Sequence, residues 1–332
     1  MRAIAALGLF ALVAASADAQ QLRYFRIGTG EPSSSAFAVG SALATVLSSP
    51  PGAPSCAQGG SCGVPGLVVV ASSSAGAVAN VEAVSNGTLD SAFAQADIVN
   101  WAHQGIELFR GKAKLENLRA IANLYPEYVH LVVRKGSSVR TVGDLKDQRV
   151  AVDVAGSGTL VMAGAILRAF GLNERTTTQL QIGIGPAVDQ LASGEIDATF
   201  YVGAPGAPVF QRLAERIAFD LVPIEGRAAM QRLRRTDRFF TETVIPAGSY
   251  EGVGATKTLG VGALWIVSAA ADPELIHAVT RALWHPTNRR VLTSKPGPAT
   301  AIALETALSG IGIPLHPGAL RYYQEIGLDV GG

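Results

Sequence analysis

Short apolar segments alternate with longer segments of mostly small or amphipathic residues along the first third of the chain. Apolar runs of about four to eight residues are typical of buried strands, and the longer segments between them are typical of helices. Alternation of this kind favours parallel sheets built from βαβ units. The predicted strands are 22–27, 67–71 and 89–93, and the helices that follow them are 36–47, 76–85 and 97–105.

The alternation stops at the apolar segment 129–134 and starts again after it. Segment 129–134 predicts a strand with no helix of its own, and 150–154 and 160–170 then predict a new strand and helix. This restart indicates a second lobe, and 264–268 has the pattern of a strand that returns to the first. Two crossings between lobes would form a hinge with the binding cleft between them. The predicted lobes are 20–134 with 260–332, and 135–259; further strands are predicted at 197–201 and 219–223.

Residues 1–19 have the pattern of a secretion signal. Arg2 gives a positive start, residues 4–15 are apolar, and Ala17-Asp18-Ala19 fits the small-x-small rule for cleavage. We expect cleavage after Ala19, with Ala17 as the second candidate. The alternative of a membrane anchor is weaker, because the apolar run is shorter than the roughly 20 residues that a spanning helix needs. The pattern predicts an exported, periplasmic protein.

The length and charge of the chain limit the classes of function. A chain of 332 residues suits two domains better than one. With 27 Lys and Arg against 26 Asp and Glu, the formal net charge is +1, which argues against attraction to nucleic acid or to a membrane surface. We therefore expect no nucleic-acid partner.

The two cysteines, Cys56 and Cys62, enclose a short stretch of the Pro-, Gly- and Ser-rich loop 48–66. An even cysteine count in an exported chain favours a disulfide. A metal site is the weaker alternative because no histidine or further cysteine lies nearby in the sequence. The pattern predicts a structural disulfide between Cys56 and Cys62, and no bound metal.

Small polar residues follow three of the predicted strands, where the chain turns into a helix. Parallel sheets bind ligands beyond the carboxyl ends of their strands, and the free N–H groups of a helix start can hold a carboxylate or phosphate. The alternative is ordinary helix capping by serine and threonine. The three turns hold Thr29, Gly30 and Ser33 to Ser35; Ser72 to Ser74; and Gly156 to Thr159.

The enzyme-like motifs in the sequence lack the surrounding structure that their chemistry requires. Gly59-Gly-Ser-Cys-Gly63 matches the five-residue nucleophile elbow of hydrolases, but it follows no predicted strand and lies in the cysteine loop. Gly28-Thr-Gly30 lacks the third glycine of a dinucleotide-binding turn. The histidines are dispersed, and His130, in an apolar strand, fits a core position. We expect no enzymatic activity and no cofactor.

Taken in order, the segments resemble one family over essentially the whole mature chain. The segments that carry the resemblance are Ile27-Gly-Thr-Gly30, the cysteine loop ending Gly63-Val-Pro-Gly-Leu67, Gln95-Ala-Asp97, Leu124-Tyr-Pro-Glu127, Val129-His-Leu-Val-Val133, Gly156-Ser-Gly-Thr159, Phe200-Tyr-Val-Gly203, Ile245-Pro-Ala-Gly-Ser-Tyr250 and Gly312-Ile-Pro-Leu-His-Pro-Gly318. With these segments the chain resembles the TAXI-type solute receptors of TRAP transporters, the exported binding subunits of tripartite, ion-driven uptake systems.

The resemblance implies an α/β protein with the type II periplasmic-binding-protein fold, in which two lobes enclose a ligand. It implies a monomeric receptor for a small anionic organic solute, glutamate-like or a dicarboxylate, that is delivered to an integral-membrane TRAP permease. The alternatives are a ligand-presenting sensor of the same fold without a transport partner, and a secreted enzyme on that fold. The ligand-binding positions implied are Thr29, Ser35, Phe37, Ser73, Gln95, Tyr125 at the hinge, Ser157, Thr159, Tyr201 and Gly203.

The first loop departs from the pattern of the family it resembles. Its relatives have a sequence like Gly-Thr-Gly-Gly-Thr-x-Gly-x-Tyr-Tyr-Pro, whereas this chain has Glu31 and Ser34 in place of glycines and Ala36-Phe37 in place of the aromatic pair. Loss of a tyrosine hydroxyl removes a donor, and Glu31 would repel an anion if it faced the cleft. We therefore expect the ligand of this chain to differ from that of its relatives.

Overall fold

A computed structural model of the chain describes residues 22–236 and 238–330. The predicted signal peptide, 1–19, lies outside the described residues. Within these two ranges, no helix combines the length and the apolar character that crossing a membrane requires.

The described residues form twelve strands and ten α-helices, with short 3₁₀ turns between some of them. The strands are β1 Arg23–Gly28, β2 Ser48–Ser49, β3 Val64–Pro65, β4 Leu67–Ser72, β5 Ser91–Gln95, β6 Leu118–Arg134, β7 Arg149–Ala151, β8 Thr178–Leu180, β9 Ala198–Gly203, β10 Phe219–Leu221, β11 Thr241–Ile245 and β12 Thr256–Ser268. The helices are α1 Ser35–Leu47, α2 Ala77–Ser85, α3 Ala96–Gln104, α4 Gly158–Ala169, α5 Ile184–Ser193, α6 Pro208–Ala214, α7 Arg227–Thr236, α8 Pro273–Trp284, α9 Pro286–Leu292 and α10 Pro317–Glu325.

The main sheet contains two parallel parts joined by two long antiparallel strands. Its order is β4-β1-β5-β12-β6-β9-β7-β8, with β10 on β6 and β11 on β12. Strand β1 runs parallel to β4 and β5, and β7 runs parallel to β8 and β9. We call the first group, with α1 to α3, the β1 half, and the second group, with α4 to α6, the β7 half. The predicted α/β class, with two βαβ lobes joined by two crossings, is confirmed.

The two crossings are the strands β6 and β12, of 17 and 13 residues. They pair with each other; β12 also pairs with β5 of the β1 half through Ala263–Val267, and β6 pairs with β9 of the β7 half through Tyr128–Val133. The sequence indicated only the ends of these strands, at 129–134 and 264–268. The predicted bounds of the lobes, 20–134 with 260–332 and 135–259, stay a prediction.

Each half has its own apolar core. In the β1 half, the rings of Phe25 and Phe93 each meet the edge or face of the buried Trp265 with centroids 6.4 Å apart. In the β7 half, Phe210 packs between Phe219 and Tyr250. Burial of a side chain of this size stabilises a fold by roughly 1.5–3 kcal/mol, so each half contributes its own packing energy to the fold.

The predicted disulfide between Cys56 and Cys62 is confirmed. The side-chain amide of Asn288 donates to the Cys62 carbonyl at 3.1 Å, which ties the cysteine loop to α9. The His285 ring nitrogen lies within 4.8 Å of both sulfurs. Because thiolates are the metal-binding form of cysteine and both sulfurs are joined in the disulfide, this group is structural.

Candidate functional site

A small cavity of about 60 Å³ lies at the carboxyl ends of the parallel strands, between the β1 half and the β7 half. This is the place where open parallel sheets bind ligands. The volume is far below the roughly 300–1,000 Å³ of pockets for drug-sized molecules, so the cavity suits a small solute. The lining residues are Thr29 to Glu31, Ser34, Ala36, Ala75 to Ala77, Phe93 to Gln95, Glu127, Asp153, Ser157 to Thr159, Ile184, Tyr201 and Val202.

Four helices begin at this cavity: α1 and α2 from the β1 half, and α4 and α5 from the β7 half. Two of the helices are capped by serine. Ser34 Oγ accepts from the Phe37 N–H at 3.1 Å, and Ser157 Oγ accepts from the Leu160 N–H at 3.0 Å. The remaining first-turn N–H groups and the positive ends of the helix dipoles favour a negatively charged group at the cavity.

Three carboxylates line the same cavity: Glu31, Glu127 and Asp153. Within the part of the chain that the structure describes, no lysine, arginine or histidine is among the lining residues. The cavity is therefore a mixed electrostatic environment, in which backbone dipoles attract anions while side chains attract cations. Sequence reasoning did not identify Glu127 or Asp153 as site residues.

Glu127 lies on β6 and is 5% exposed. The Gln95 side-chain amide donates to Glu127 Oε2, and the Tyr125 hydroxyl donates to Oε1 at 3.5 Å. Burial raises the pKa of Glu127 to about 7, and the hydrogen bonds from Gln95 and Tyr125 lower it only in part. This carboxyl therefore titrates close to neutral pH.

Gln95 lines the cavity and has one side-chain acceptor that receives no hydrogen bond from the described residues. Its amide nitrogen faces Glu127, and its Oε1 is buried without a donor among the described residues. The side chain reaches the start of α4, where a Cβ on Gly158 would overlap Gln95 Oε1. An unsatisfied buried acceptor costs about 1–3 kcal/mol, so this oxygen is a place for a donor from a ligand or water.

Asp153 precedes the turn into α4 with a φ of 71°, a left-handed conformation in which aspartate is enriched. Its Oδ1 accepts from the Val154 N–H at 2.8 Å. Burial raises the pKa of Asp153 to about 6, although the bond from Val154 opposes that change. The predicted strand 150–154 is correspondingly wrong in its bounds, because β7 ends at Ala151 and the chain then turns.

Glu31 crosses from the loop after β1 to the β7 half. Its Oε2 accepts from the Gly185 N–H in the first turn of α5 at 3.2 Å. A Cβ on Gly183 would overlap the Glu31 carboxylate, so the absence of a side chain there permits the contact. The unusual residue of the first loop thus occupies the start of a helix in the opposite half.

A second contact between the halves joins Ser35 to the end of β9. The Tyr201 hydroxyl lies 2.8 Å from both Ser35 N and Ser35 Oγ, and Ser35 Oγ accepts from the Ala204 N–H at 3.0 Å. A side chain on Gly203 would overlap the Tyr201 hydroxyl. These residues close the cleft rather than line the cavity, except for Tyr201, which does both.

The structure places the predicted ligand-binding residues in two groups, and a ligand-binding role for each stays a prediction. Those that line the cavity are Thr29, Gln95, Ser157, Thr159 and Tyr201. Those outside the lining are Ser35 and Gly203 at the interlobe contact, Tyr125 buried beneath Glu127, Phe37 within α1 and Ser73 exposed after β4.

A larger groove of about 620 Å³ lies on the surface between α7 and the strands β11 and β12. Four of its five charged side chains pair with one another, Arg234 with Glu242 and Lys257 with Glu225. Its lining residues come from one side of the molecule, and none of them lies at the end of a parallel strand. The cavity between the halves is therefore the candidate site.

Comparison with known proteins agrees with this architecture. The model of the NMT1-like family matches residues 27–327, so the chain belongs to the NMT1-like family. A solved structure described as a periplasmic transporter is 13% identical, with a TM-score of 0.51 over 91% of this chain and 92% of that one. An ancestral arginine-binding protein is 16% identical, with a TM-score of 0.47 over 82% and 99% of the two chains. The periplasmic aliphatic sulphonate binding protein of Escherichia coli is 14% identical, with a TM-score of 0.43 over 91% and 78%. The predicted periplasmic-binding-protein fold is confirmed.

Proposed function

We propose that this member of the NMT1-like family is an exported receptor that captures a small carboxylated solute and delivers it to a membrane transporter. The observation that carries the proposal is the cavity at the carboxyl ends of strands from both halves, onto which four helix starts converge. A site made by two halves gives ligand-dependent closure, and helix starts give a place for a carboxylate. The proposed function is binding without reaction.

The carboxylate would bind at the starts of α2 and α4. Gly158 and Thr159 are the first two residues of α4, and Ala77 is the first residue of α2. Their N–H groups have no carbonyl one turn earlier within the helix, so they are available to an anion. The helix dipoles add a favourable term of about 0.3–1 kcal/mol at each start.

Closure over the solute would use the contacts between the halves. Besides the Ser35–Tyr201 and Glu31–Gly185 contacts, the Ala79 N–H of α2 donates to the Gly156 carbonyl at 3.1 Å. A solute that touches both halves favours the closed state by its differential affinity for it. A transporter that recognises the closed state would then receive only loaded receptor.

Thermal unfolding of refolded, ligand-stripped protein tests the proposal against amino acids, dicarboxylates, 2-oxo acids and aromatic acids. A solute at a hundred times its dissociation constant stabilises by about 2.7 kcal/mol, which is several degrees for a protein of this size. The corresponding alcohols, which lack the carboxylate, are the control. If no carboxylated class raises the unfolding temperature above its alcohol control, the proposal is wrong.

The TRAP permease is the partner that the resemblance of the sequence supports. Its test is uptake by vesicles that contain the multi-span permease encoded beside this gene, with and without the receptor. Uptake that needs the receptor supports the partner. A neighbouring histidine kinase, together with receptor-independent uptake, would favour the sensor alternative.

A further inference from the structure

We propose that Glu31 makes the cavity selective for a solute with a protonated amine and a single carboxylate, and that it excludes dicarboxylates. This inference rests on the proposed function, because it concerns the solute of that same site. It departs from both solute classes that the sequence resemblance implies, because glutamate and the dicarboxylates each carry two carboxylates.

Glu31 already supplies an anion to one of the four helix starts. Its carboxylate accepts from the Gly185 N–H at 3.2 Å, in the first turn of the ten-residue helix α5. A solute with two carboxylates would need donors in both halves of the cleft. The donor at α5 is occupied, and a second solute carboxylate placed there would meet the charge of Glu31 at short range. The side chain thus acts as an internal substitute for a second ligand carboxylate.

The unmet hydrogen-bonding group of the lining is an acceptor. Gln95 is 9% exposed, its amide nitrogen donates to Glu127, and its Oε1 is buried without a donor in the described part of the chain. A carboxylate oxygen cannot satisfy this atom, because both groups are acceptors. A solute ammonium group has three N–H donors and can bridge Gln95 Oε1 and the Glu127 carboxylate.

The charges of the lining point the same way. Glu31, Glu127 and Asp153 are the ionisable carboxyls of the cavity, and no cationic side chain lines it among the described residues. A dicarboxylate would add two negative charges to these three groups. A solute with one ammonium and one carboxylate adds no net charge, and it places its positive end at Glu127 and its negative end at the helix starts. A buried charge needs a partner of this kind.

A set of four four-carbon acids tests the inference by isothermal titration calorimetry on the full mature chain. L-2-Aminobutyrate has the amine and one carboxylate, butyrate lacks the amine, aspartate adds a second carboxylate, and succinate has two carboxylates and no amine. We expect 2-aminobutyrate to bind at least about 100-fold more tightly than butyrate and at least about tenfold more tightly than aspartate, with no measurable binding of succinate.

The same four titrations on Glu31→Gln and Glu31→Gly assign the selectivity to this side chain. Glutamine keeps the size and removes the charge, and glycine restores the residue usual in the receptors that the chain resembles. We expect the affinity ratio of aspartate to 2-aminobutyrate to rise at least tenfold in both. A change in closure alters all affinities by the same factor, so the ratio isolates selectivity. Glu174→Gln, at an exposed carboxylate of the β7 half, is the control and should leave the ratio unchanged.

The outcomes separate this inference from the proposed function. Equal or tighter binding of butyrate or succinate, stabilisation by a panel compound without an amine, or an unchanged ratio in both Glu31 variants would overturn the inference while leaving a solute receptor in place. No binding of the four acids, together with no stabilisation by any carboxylated class of the wider panel, would overturn both.

Discussion

Two buried polar clusters lie three residues apart on β6, and they differ in whether their hydrogen bonds are complete. Around His130, both ring nitrogens have partners: Nδ1 lies 2.9 Å from the Tyr128 carbonyl and Nε2 lies 2.9 Å from the Tyr250 hydroxyl. Around Glu127, Gln95 Oε1 is without a donor in the described part of the chain. The protein alone supplies the hydrogen-bond partners of the first cluster. In the second cluster, one buried acceptor has no donor among the described residues.

The packing of the two clusters differs in the same sense. The His130 ring stacks on Phe210 at 5.6 Å and also contacts the Tyr201 and Tyr250 rings, and His130 is not among the residues that line the candidate cavity. The Glu127 cluster faces a cavity and carries an ionisable group with a pKa near 7. Native proteins satisfy nearly all buried polar groups, so the incomplete cluster is the place to look for a ligand. We therefore expect mutations in the two clusters to separate stability from binding.

His130→Ala should give the largest effect, and it should be an effect on stability. The variant removes a fully buried ring and the partner of the Tyr250 hydroxyl, so the free energy of unfolding should fall by about 3–4 kcal/mol. Urea unfolding measures this change. Tyr250→Phe removes the hydroxyl alone and leaves the His130 ring and the Ala207 N–H without that partner, so it should cost about 1–3 kcal/mol. The comparison would break if His130→Ala left stability unchanged, or lowered the affinity of the folded fraction by more than about tenfold.

Glu127→Gln should give the opposite pattern. The amide keeps the shape of the side chain but removes the charge that we assign to the solute amine, so affinity for 2-aminobutyrate should fall about 100-fold, or roughly 2.7 kcal/mol. Stability should be unchanged or higher, because the raised pKa shows that burial disfavours the ionised carboxyl. Calorimetric titration and urea unfolding on the same sample test both parts. A large loss of stability with normal affinity would make Glu127 a structural residue like His130.

The pH dependence of binding should sharpen the contrast between the clusters. Below pH 7 the Glu127 carboxyl holds a proton that an ammonium must displace, so affinity should fall by up to about tenfold for each unit below 7 and level off above it. Burial lowers the pKa of His130 to about 4, so that ring stays neutral between pH 6 and 8. The slope should be measured by titration across this range in wild type and in Glu127→Gln.

The residual slope of Glu127→Gln reports the other buried acid of the cavity, Asp153, with a pKa of about 6. Tyr125 and Tyr201 have pKa values raised by burial and stay neutral.

The stability of the unliganded protein should also depend on pH through Glu127. A carboxyl whose folded pKa is raised from 4.5 to about 7 binds more protons folded than unfolded, so its contribution to stability decreases as pH rises from 4.5 to 7. If affinity changed with pH by the same slope in wild type and in Glu127→Gln, Glu127 would be excluded as the titrating group.

The sequence predicted much of the fold because the strands of both parallel parts are apolar and are followed by helices. It missed most of β6, since Pro126 interrupts the pattern of a strand although the residue pairs with Gly262 in the structure. It also gave no prediction for α5 and α6. The ten-residue helix α7 carries four arginines, an amphipathic pattern that predicts a helix with a solvated charged face.

The candidate site was predictable only in its backbone part. The turns at Thr29 and Ser157 were predictable because each follows an apolar strand, and both residues line the cavity. Glu127 was not predictable as a site residue, because its partner Gln95 is 32 residues away and meets it only across the sheet. The contact between Glu31 and Gly185 spans 154 residues and leaves no periodic signal in either segment.

Thr159→Val should have the smallest effect of these variants. Thr159 contributes both to the stability of the fold and to the lining of the cavity. Thr159 Oγ1 accepts from the buried Val202 N–H at 3.1 Å and also lines the cavity. Valine has nearly the same shape but leaves Val202 N–H without its acceptor, so the free energy of unfolding should fall by about 1 kcal/mol. The backbone N–H of residue 159 remains at the start of α4, so affinity for 2-aminobutyrate should fall only about three- to tenfold. Thr159→Ser keeps the hydroxyl and should retain wild-type affinity. If the serine variant lost affinity while the valine variant retained it, the methyl group rather than the hydroxyl would be the contact, and the carboxylate would have to be placed away from this turn.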